Sequence, residues 1–261
     1  MLRCFALLAM LVLLCSTSCG ERTCETPEPQ EPECEYPTML HPLSPQTLDS
    51  LRTAYAAQNP GVYVNLNEYG FPRSLRAARE WHLPKSLDDA TLIGRAKAAI
   101  VANARVTGVS DSSSLHLLSY SRDKGVFMVW FGPQICKGLE VLDTHIGVWV
   151  DSVGVVAMDG NYYQGVCVPH VGLVPASQAQ DSILGLKITF YPDGGPDTFV
   201  VAGDSFRGVP AREIVVHQLT SAVELRVAWR IPVGPGESPW WYVYVDTMDG
   251  ERLGVEQLVD F

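Results

Sequence analysis

The sequence predicts an α+β fold made of two small units, each an antiparallel sheet packed against a helix. The first observation is period-two alternation, which is typical of half-buried strands. Across residues 145–150, Ile146, Val148 and Val150 alternate with side chains of other kinds. The second is that each set of such strands is accompanied by segments with helical spacing of apolar residues. The third is composition, because 47% apolar and 18% charged residues are enough to bury a sizeable core.

The first unit, residues 46–168, opens with a helix, because Leu48, Leu51 and Tyr55 recur at helical spacing. The turn at 151–154 uses Gly154, which can adopt a positive φ without steric cost. A second helix is predicted to begin at a capping box at 86–89 and to end at Gly108, with Leu92, Ile93, Ala96 and Ile100 on its buried face. The other predicted elements of this unit are a strand at 61–66, a hairpin of 115–120 and 126–131, and strands within 138–160.

The second unit, residues 169–261, starts with a short helix at 176–184. Pro175 suits its first turn, where a missing N–H leaves no bond unmade. The predicted strands of this unit are 187–191, 198–202, 213–218, 225–231 and 241–245.

The N-terminus is typical of an export signal. Arg3 precedes an apolar stretch at 4–15 that is too short to span a membrane. The following residues, Ser16 to Cys19, resemble a bacterial lipobox, in which the cysteine is lipidated and becomes the new N-terminus. We therefore expect a lipoprotein signal peptide at 1–18, lipidation of Cys19 and a membrane-anchored protein of the bacterial cell envelope. The alternative is ordinary signal cleavage near the same place.

A tether follows at residues 19–45. Residues 20–45 hold six Pro and six Glu, a composition typical of an extended, polyproline-like linker.

The cysteines indicate an oxidising compartment. If Cys19 carries lipid, four cysteines remain in the exported chain: Cys24, Cys34, Cys136 and Cys167. Four cysteines permit three connectivities. Local pairing, Cys24 with Cys34 and Cys136 with Cys167, is favoured over the other two because it closes the shortest loops and needs no contact between the linker and the core.

Two runs carry a family resemblance. Residues 138–161 resemble the FTP segment, and residues 228–251 the PepSY segment, of the propeptides of thermolysin-like and fungalysin-like metallopeptidases. The resemblance covers about residues 54–253. It implies a propeptide-like binding module that recognises or inhibits an extracytoplasmic metallopeptidase in trans. Cys136 and Cys167, together with an apparent insertion at 193–197, depart from the family pattern and put any inherited contact surface in doubt.

No catalytic or cofactor site is predicted. The six histidines never occur in the H-E-x-x-H pattern that zinc peptidases need, so we expect no enzyme activity, no cofactor and no metal site. Ser205 follows Gly-Asp as in some hydrolases, but no Asp-x-x-His partner follows it, which favours a turn. Asp193, Asp197 and Asp204 offer carboxylates of the kind that bind calcium, but Asp in loops beside glycine is more typical of turns.

The net charge of the chain bears on which partners it can bind. A net charge of −10 disfavours nucleic-acid binding. Trp240, Tyr242 and Tyr244 are predicted to line one strand face, either under a covering element or as an exposed patch for a protein partner. Phe261, at the end of the tail, is the fourth candidate contact.

The sequence thus predicts an exported, lipid-anchored binding module that recognises a metallopeptidase or another envelope protein. The alternative is a non-catalytic structural envelope lipoprotein without a peptidase partner.

Overall fold

Two large β-sheets, a two-stranded ribbon and four α-helices form the part of the chain that the computed structural model describes, residues 34–78, 87–123, 126–192 and 195–258. The predicted α+β class, with antiparallel sheets packed against helices, is confirmed. Several predicted features lie outside the described residues: the signal peptide at 1–18, Cys19, Cys24 and Phe261.

The helices match the predicted positions closely. Ser44 caps the first helix by accepting the amide of Thr47 at 3.1 Å, and Asp88 caps the second by accepting the amide of Thr91 at 2.8 Å. The helices are α1 (Pro45–Gln58), α2 (Asp89–Ala102), α3 (Ala104–Thr107) and α4 (Ala176–Ser182). In the described part of the chain, no helix is long and apolar enough to cross a bilayer.

The strands divide between two sheets and one ribbon. In chain order they are β1 (Thr38–Leu40), β2 (Val62–Leu66), β3 (Pro72–Ala77), β4 (Leu117–Asp123), β5 (Val126–Phe131), β6 (Gln134–Cys136), β7 (Leu139–Val141), β8 (Ile146–Val150), β9 (Val155–Gly160), β10 (Lys187–Phe190), β11 (Asp197–Val200), β12 (Ala211–Gln218), β13 (Val223–Val233), β14 (Trp241–Asp246) and β15 (Arg252–Gln257). Sheet 1 has the order β2-β3-β9-β8-β5-β4. Sheet 2 has the order β15-β14-β13-β12-β7-β6, with β1 also paired to β13, and β10 pairs with β11.

Sheet 1 buries one face against α2. The alternation predicted for residues 145–150 places Ile146, Val148 and Val150 in this core. The predicted helix face is also confirmed, since Leu92, Ala96 and Ile100 are fully buried. The turn after β8 closes differently from the prediction: Gly154 lacks a positive φ, and the Asp151 carboxylate accepts the amides of Val153 and Gly154 instead.

Strand β13 gives sheet 2 one apolar face and one charged face. Its alternate side chains Val223, Leu225, Val227, Trp229, Ile231 and Val233 all join the hydrophobic clusters on the inner face. Glu224, Arg226 and Arg230 lie between them and therefore project from the opposite face. Helix α4 and the β10–β11 ribbon contribute to the inner cluster around Trp241.

Sheet 2 contains strands from both predicted units. The chain leaves sheet 1 after β5, forms β6 and β7 in sheet 2, and returns to sheet 1 as β8. Strand β7 pairs with β12 in parallel through Val141 and Ile214. Sheet 2 thus draws three strands from before residue 169, where the sequence placed the boundary.

The end of the predicted linker is part of the folded core. Strand β1 pairs with β13, and the Tyr36 hydroxyl donates to the Asp246 carboxylate at 2.8 Å. Cys34 forms a disulfide with Cys167, whereas Cys136 is free and half-buried. Both predicted bonds, Cys24 with Cys34 and Cys136 with Cys167, are therefore wrong, because Cys34 and Cys167 bond to each other. The predicted pairing assumed that the linker makes no contact with the core, yet β1 brings Cys34 to the loop that holds Cys167.

We expect the double substitution Cys34→Ser and Cys167→Ser to lower the free energy of unfolding by about 4–5 kcal/mol, because the bond closes a chain separation of 133 residues. Urea denaturation measures the loss. The matched control is Cys136→Ser, for which we expect a change of about 1 kcal/mol or less. An equal loss in the control would contradict this disulfide assignment.

Candidate functional site

The aromatic residues predicted to form one patch on β14 do not share a face. Trp240 precedes the strand and packs beside Trp241 and Phe190 in the inner cluster of sheet 2, with ring centroids 5.6 Å and 6.3 Å away. Tyr242 and Tyr244 project from the opposite face, where Tyr242 is half-buried and Tyr244 is buried. The prediction that Trp240, Tyr242 and Tyr244 line one strand face is therefore wrong, because Trp240 precedes β14 and the alternation of that strand begins at Trp241.

Charged side chains surround Tyr242 and Tyr244 on the outer face of sheet 2. The Arg230 guanidinium lies 4.6 Å from the ring centre of Tyr242 and 2.5 Å from Oε1 of Glu213. The Tyr244 hydroxyl donates to the Glu256 carboxylate at 2.5 Å. Burial, followed by that hydrogen bond, raises the pKa of Tyr244. Both tyrosines thus make side-chain contacts within the sheet, Tyr242 through its ring and Tyr244 through its hydroxyl.

Glu213 is a buried carboxylate on this outer face. Only 4% of its surface is exposed, and its Oε2 finds no hydrogen-bond partner among the described residues. Burial raises the pKa of Glu213, Arg230 lowers it, and the charges of Glu140 and Glu256 raise it further.

A carboxyl group whose folded-state pKa is raised contributes stability while it is protonated and loses that contribution as pH rises through the folded value. We therefore expect the melting temperature of Glu213→Gln to rise relative to the parent as pH increases above about 4.3, the ordinary value for glutamate. The expected difference is on the order of a few degrees, as about 1 kcal/mol produces in a domain of this size.

Thermal melts across that pH range measure the difference, and Glu237→Gln in an exposed loop is the matched control. A Glu213→Gln variant that becomes less stable than the parent as pH rises would show that Arg230 outweighs burial at this carboxylate.

The remaining sequence candidates have structural explanations. The Ser205 hydroxyl accepts the Ala202 amide at 2.9 Å and is buried, as expected for a turn. Burial raises the pKa of the Cys136 thiol, which disfavours its reactive thiolate form. In the part of the chain that the structure describes, no group of three or more His, Cys, Asp or Glu side chains is placed to hold a metal ion.

The outer face of sheet 1 carries a constellation that the sequence analysis did not single out. Trp130 lies opposite Gly147, Trp149 lies opposite Met128, and Gly147 lies opposite Asp159. We call Trp130, Trp149 and Asp159, gathered around Gly147, the Gly147 corner. The ring centroids of the two tryptophans are 6.3 Å apart, and their planes meet at 70°.

Gly147 is a glycine because neighbouring groups occupy its side-chain space. Its φ is not positive, so the backbone does not require glycine, and glycine inside a strand costs about 0.5–1 kcal/mol relative to alanine. A Cβ at this position would lie 2.6 Å from Oδ1 of Asp159 and 3.3 Å from both Nε1 of Trp130 and Cη2 of Trp149. Three functional groups therefore converge on one point of the sheet surface.

The carboxylate of Asp159 is partly shielded from water in this corner. Its Oδ1 is buried and makes no hydrogen bond within the described ranges. Burial raises the pKa of Asp159, and the nearby His145 and the Gly147 amide lower it. Burial thus outweighs the stabilising effect of His145 and the Gly147 amide on this carboxylate.

The outer face of sheet 1 ends at an exposed edge strand. Strand β4 lies at this edge, and Leu118 on it exposes 62% of its surface. Leu117 and Tyr120 pair with Phe131 and Val129 and therefore lie on the inner side of the strand. Tyr63, on β2 at the other edge, is 72% exposed. The sequence held a signal for this face, since Trp149 occupies the polar register of an alternating strand.

No protein-family model matches the chain, and no curated protein matches it either. Among solved structures, the C-terminal domain of Bacillus megaterium YpeB matches with a TM-score of 0.33 and 7% sequence identity. The match covers 84% of this chain and 100% of the other. The resemblance to FTP and PepSY segments stays a prediction.

Proposed function

We propose that this chain is an exported, propeptide-like binding module that recognises a protein of the cell envelope through the outer face of sheet 1. The observation that carries the proposal is the pair Trp130 and Trp149, half-buried on that face next to the exposed edge strand β4. Tryptophans in such positions supply large contact areas and are enriched among the residues that dominate binding energy.

The edge strand extends the same surface. An exposed edge presents unpaired backbone groups that can pair with a strand of another chain. The exposed side chain of Leu118 would add an apolar contact to such a pairing. The two features together favour a protein partner over a small molecule.

Export and anchoring belong to the same proposal. The Cys34–Cys167 disulfide suits an oxidising compartment outside the cytoplasm, in agreement with the predicted signal peptide. Lipidation of Cys19 would hold the module at a membrane and restrict it to partners of the envelope. Mass spectrometry of the exported protein, with Cys19→Ser as control, tests the lipid.

A metallopeptidase is the partner that the propeptide resemblance favours. The chain lacks the H-E-x-x-H motif, so we propose that it recognises or inhibits a peptidase in trans and has no peptidase activity of its own. Purified protein at micromolar concentration should lower the thermolysin-like activity secreted by the same organism. Unchanged activity would count against inhibition.

We expect Trp149→Ser to reduce capture of the envelope partner by about tenfold or more, because loss of a central interface tryptophan typically costs on the order of 2 kcal/mol. The measurement is quantitative mass spectrometry of proteins that co-purify with the exported protein from envelope extracts. Leu118→Lys, at an exposed edge position, should also weaken capture while leaving the core intact.

The matched control is Val255→Ser on β15, the edge strand of sheet 2, where 41% of the side chain is exposed. Melting temperatures of all variants exclude unfolding as the cause. Equal capture by Trp149→Ser and Val255→Ser would contradict the proposed surface. Absence of any stoichiometric partner would favour the structural lipoprotein instead.

A further inference from the structure

A partly enclosed cavity lies between α1, α2 and the inner face of sheet 1, with a volume of about 270 Å³. Helix α1 contributes Tyr55 and Asn59 to its wall, and α2 contributes Ala99 and Asn103. Strands β2, β3 and β9 form the remaining wall, which includes Met158. Voids much larger than a water molecule are few in packed interiors, so a space of this size is suited to a ligand.

The wall of this cavity is largely apolar. Apart from Tyr55, Asn59 and Asn103, the residues that line it are alanine, valine, leucine and methionine. Among the described residues, no Asp, Glu, Lys, Arg or His lines it. An ion would lose its hydration there without gaining a charged partner. The cavity therefore selects an uncharged and mostly apolar ligand.

Two polar groups of the wall keep unused hydrogen-bonding capacity. Tyr55 exposes only 6% of its surface, and its hydroxyl makes no hydrogen bond with a described residue, so burial alone raises the pKa of Tyr55 to about 12. The side-chain amide of Asn59 donates to the Tyr55 carbonyl and to Oδ1 of Asn103, both at 3.1 Å, which leaves its own Oδ1 as an acceptor. A ligand hydroxyl can accept from a tyrosine and donate to an amide oxygen at once.

We propose that this cavity binds a small, uncharged, mostly apolar molecule that carries one hydroxyl group. The apolar part packs against the aliphatic wall around Ala99 and Met158, and the hydroxyl bonds with Tyr55 and Asn59. A cavity of about 150 Å³ is sufficient for benzene, so this one has room for a substituted ring. The site lies on the opposite side of sheet 1 from the proposed partner surface and does not depend on it.

The test is a titration of the protein with para-cresol, followed by NMR of the methionine methyl groups. Met158 lines the cavity, whereas Met128 pairs with Trp149 on the outer face of sheet 1 and is the internal reference. The substitutions Met158→Leu and Met128→Leu assign the two signals. We expect the Met158 signal to shift in a saturable manner, with a dissociation constant on the order of 1 mM, while the Met128 signal stays in place.

Two variants localise the binding. Tyr55→Phe removes only the hydroxyl and should weaken para-cresol by about threefold to tenfold, the usual effect of one hydrogen bond, but should leave binding of toluene unchanged because toluene has no hydroxyl. Ala99→Leu fills part of the cavity and should weaken both ligands by at least about tenfold. Its matched control is Ala98→Leu at the exposed neighbouring position of α2, which should bind both ligands as the parent does.

A Met158 signal that does not move, a Met128 signal that moves as far, or Ala99→Leu that binds para-cresol unchanged would each overturn the inference. Unchanged binding of para-cresol by Tyr55→Phe would do the same, because the hydroxyl of Tyr55 would then make no bond to the ligand. Melting temperatures show that the variants are folded. If Ala99→Leu unfolds, the comparison of para-cresol with toluene in Tyr55→Phe decides alone.

Discussion

The structure depends on the place where the chain crosses from sheet 1 to sheet 2 and back, between β5 and β8. The two crossings lie side by side, and a Cβ at Gly132 would come within 2.7 Å of the carbonyl oxygen of Thr144. The Thr144 hydroxyl donates to the Val141 carbonyl at 2.6 Å and accepts the Gln134 amide at 2.8 Å. The side-chain amide of Gln134 in turn bonds both the N–H and the carbonyl of Tyr163. These bonds hold β6 and β7 in sheet 2 and fix where β8 re-enters sheet 1.

The position of the proposed binding surface follows from that constraint. Because β5 ends and β8 begins at the crossing, Phe131 pairs with Ile146 and the register of both strands is set. One residue further along, the same register places Trp130 opposite Gly147. A slip of one residue would turn the tryptophans toward the core and expose the apolar set instead. The crossing, the core alternation and the Gly147 corner are thus one arrangement.

Local sequence patterns predicted most of the helices and strands, but they did not predict which distant strands pair with one another. Alternation on β8 identified its buried face, since period two is a property of the strand alone. Nothing local indicates that β6 and β7 leave their neighbours for sheet 2, or that β1 joins β13 and brings Cys34 to Cys167. The aromatic patch failed for a similar reason. Strand β14 looked apolar on both faces, but Arg230 and Glu256 from adjacent strands make one of them polar.

The two sheets present different surfaces. On sheet 2 the outer face is built of charged side chains that contact one another across strands, as Glu213 and Arg230 do, with Tyr242 and Tyr244 packed among them. On sheet 1 the outer face carries two half-buried indoles beside the Asp159 carboxylate. A buried carboxylate oxygen without a hydrogen-bond partner among the described residues occurs on both faces, so the two tryptophans are what distinguish sheet 1 as a surface suited to binding.

Photo-crosslinking in living cells tests most directly whether sheet 1 is the contact surface. A photoreactive amino acid at Ser121, which is exposed and pairs with Met128 on the outer face of sheet 1, should yield a discrete crosslinked envelope protein. The same amino acid at His217, on the outer face of sheet 2, should yield none. A crosslink from position 217 and none from position 121 would contradict the account.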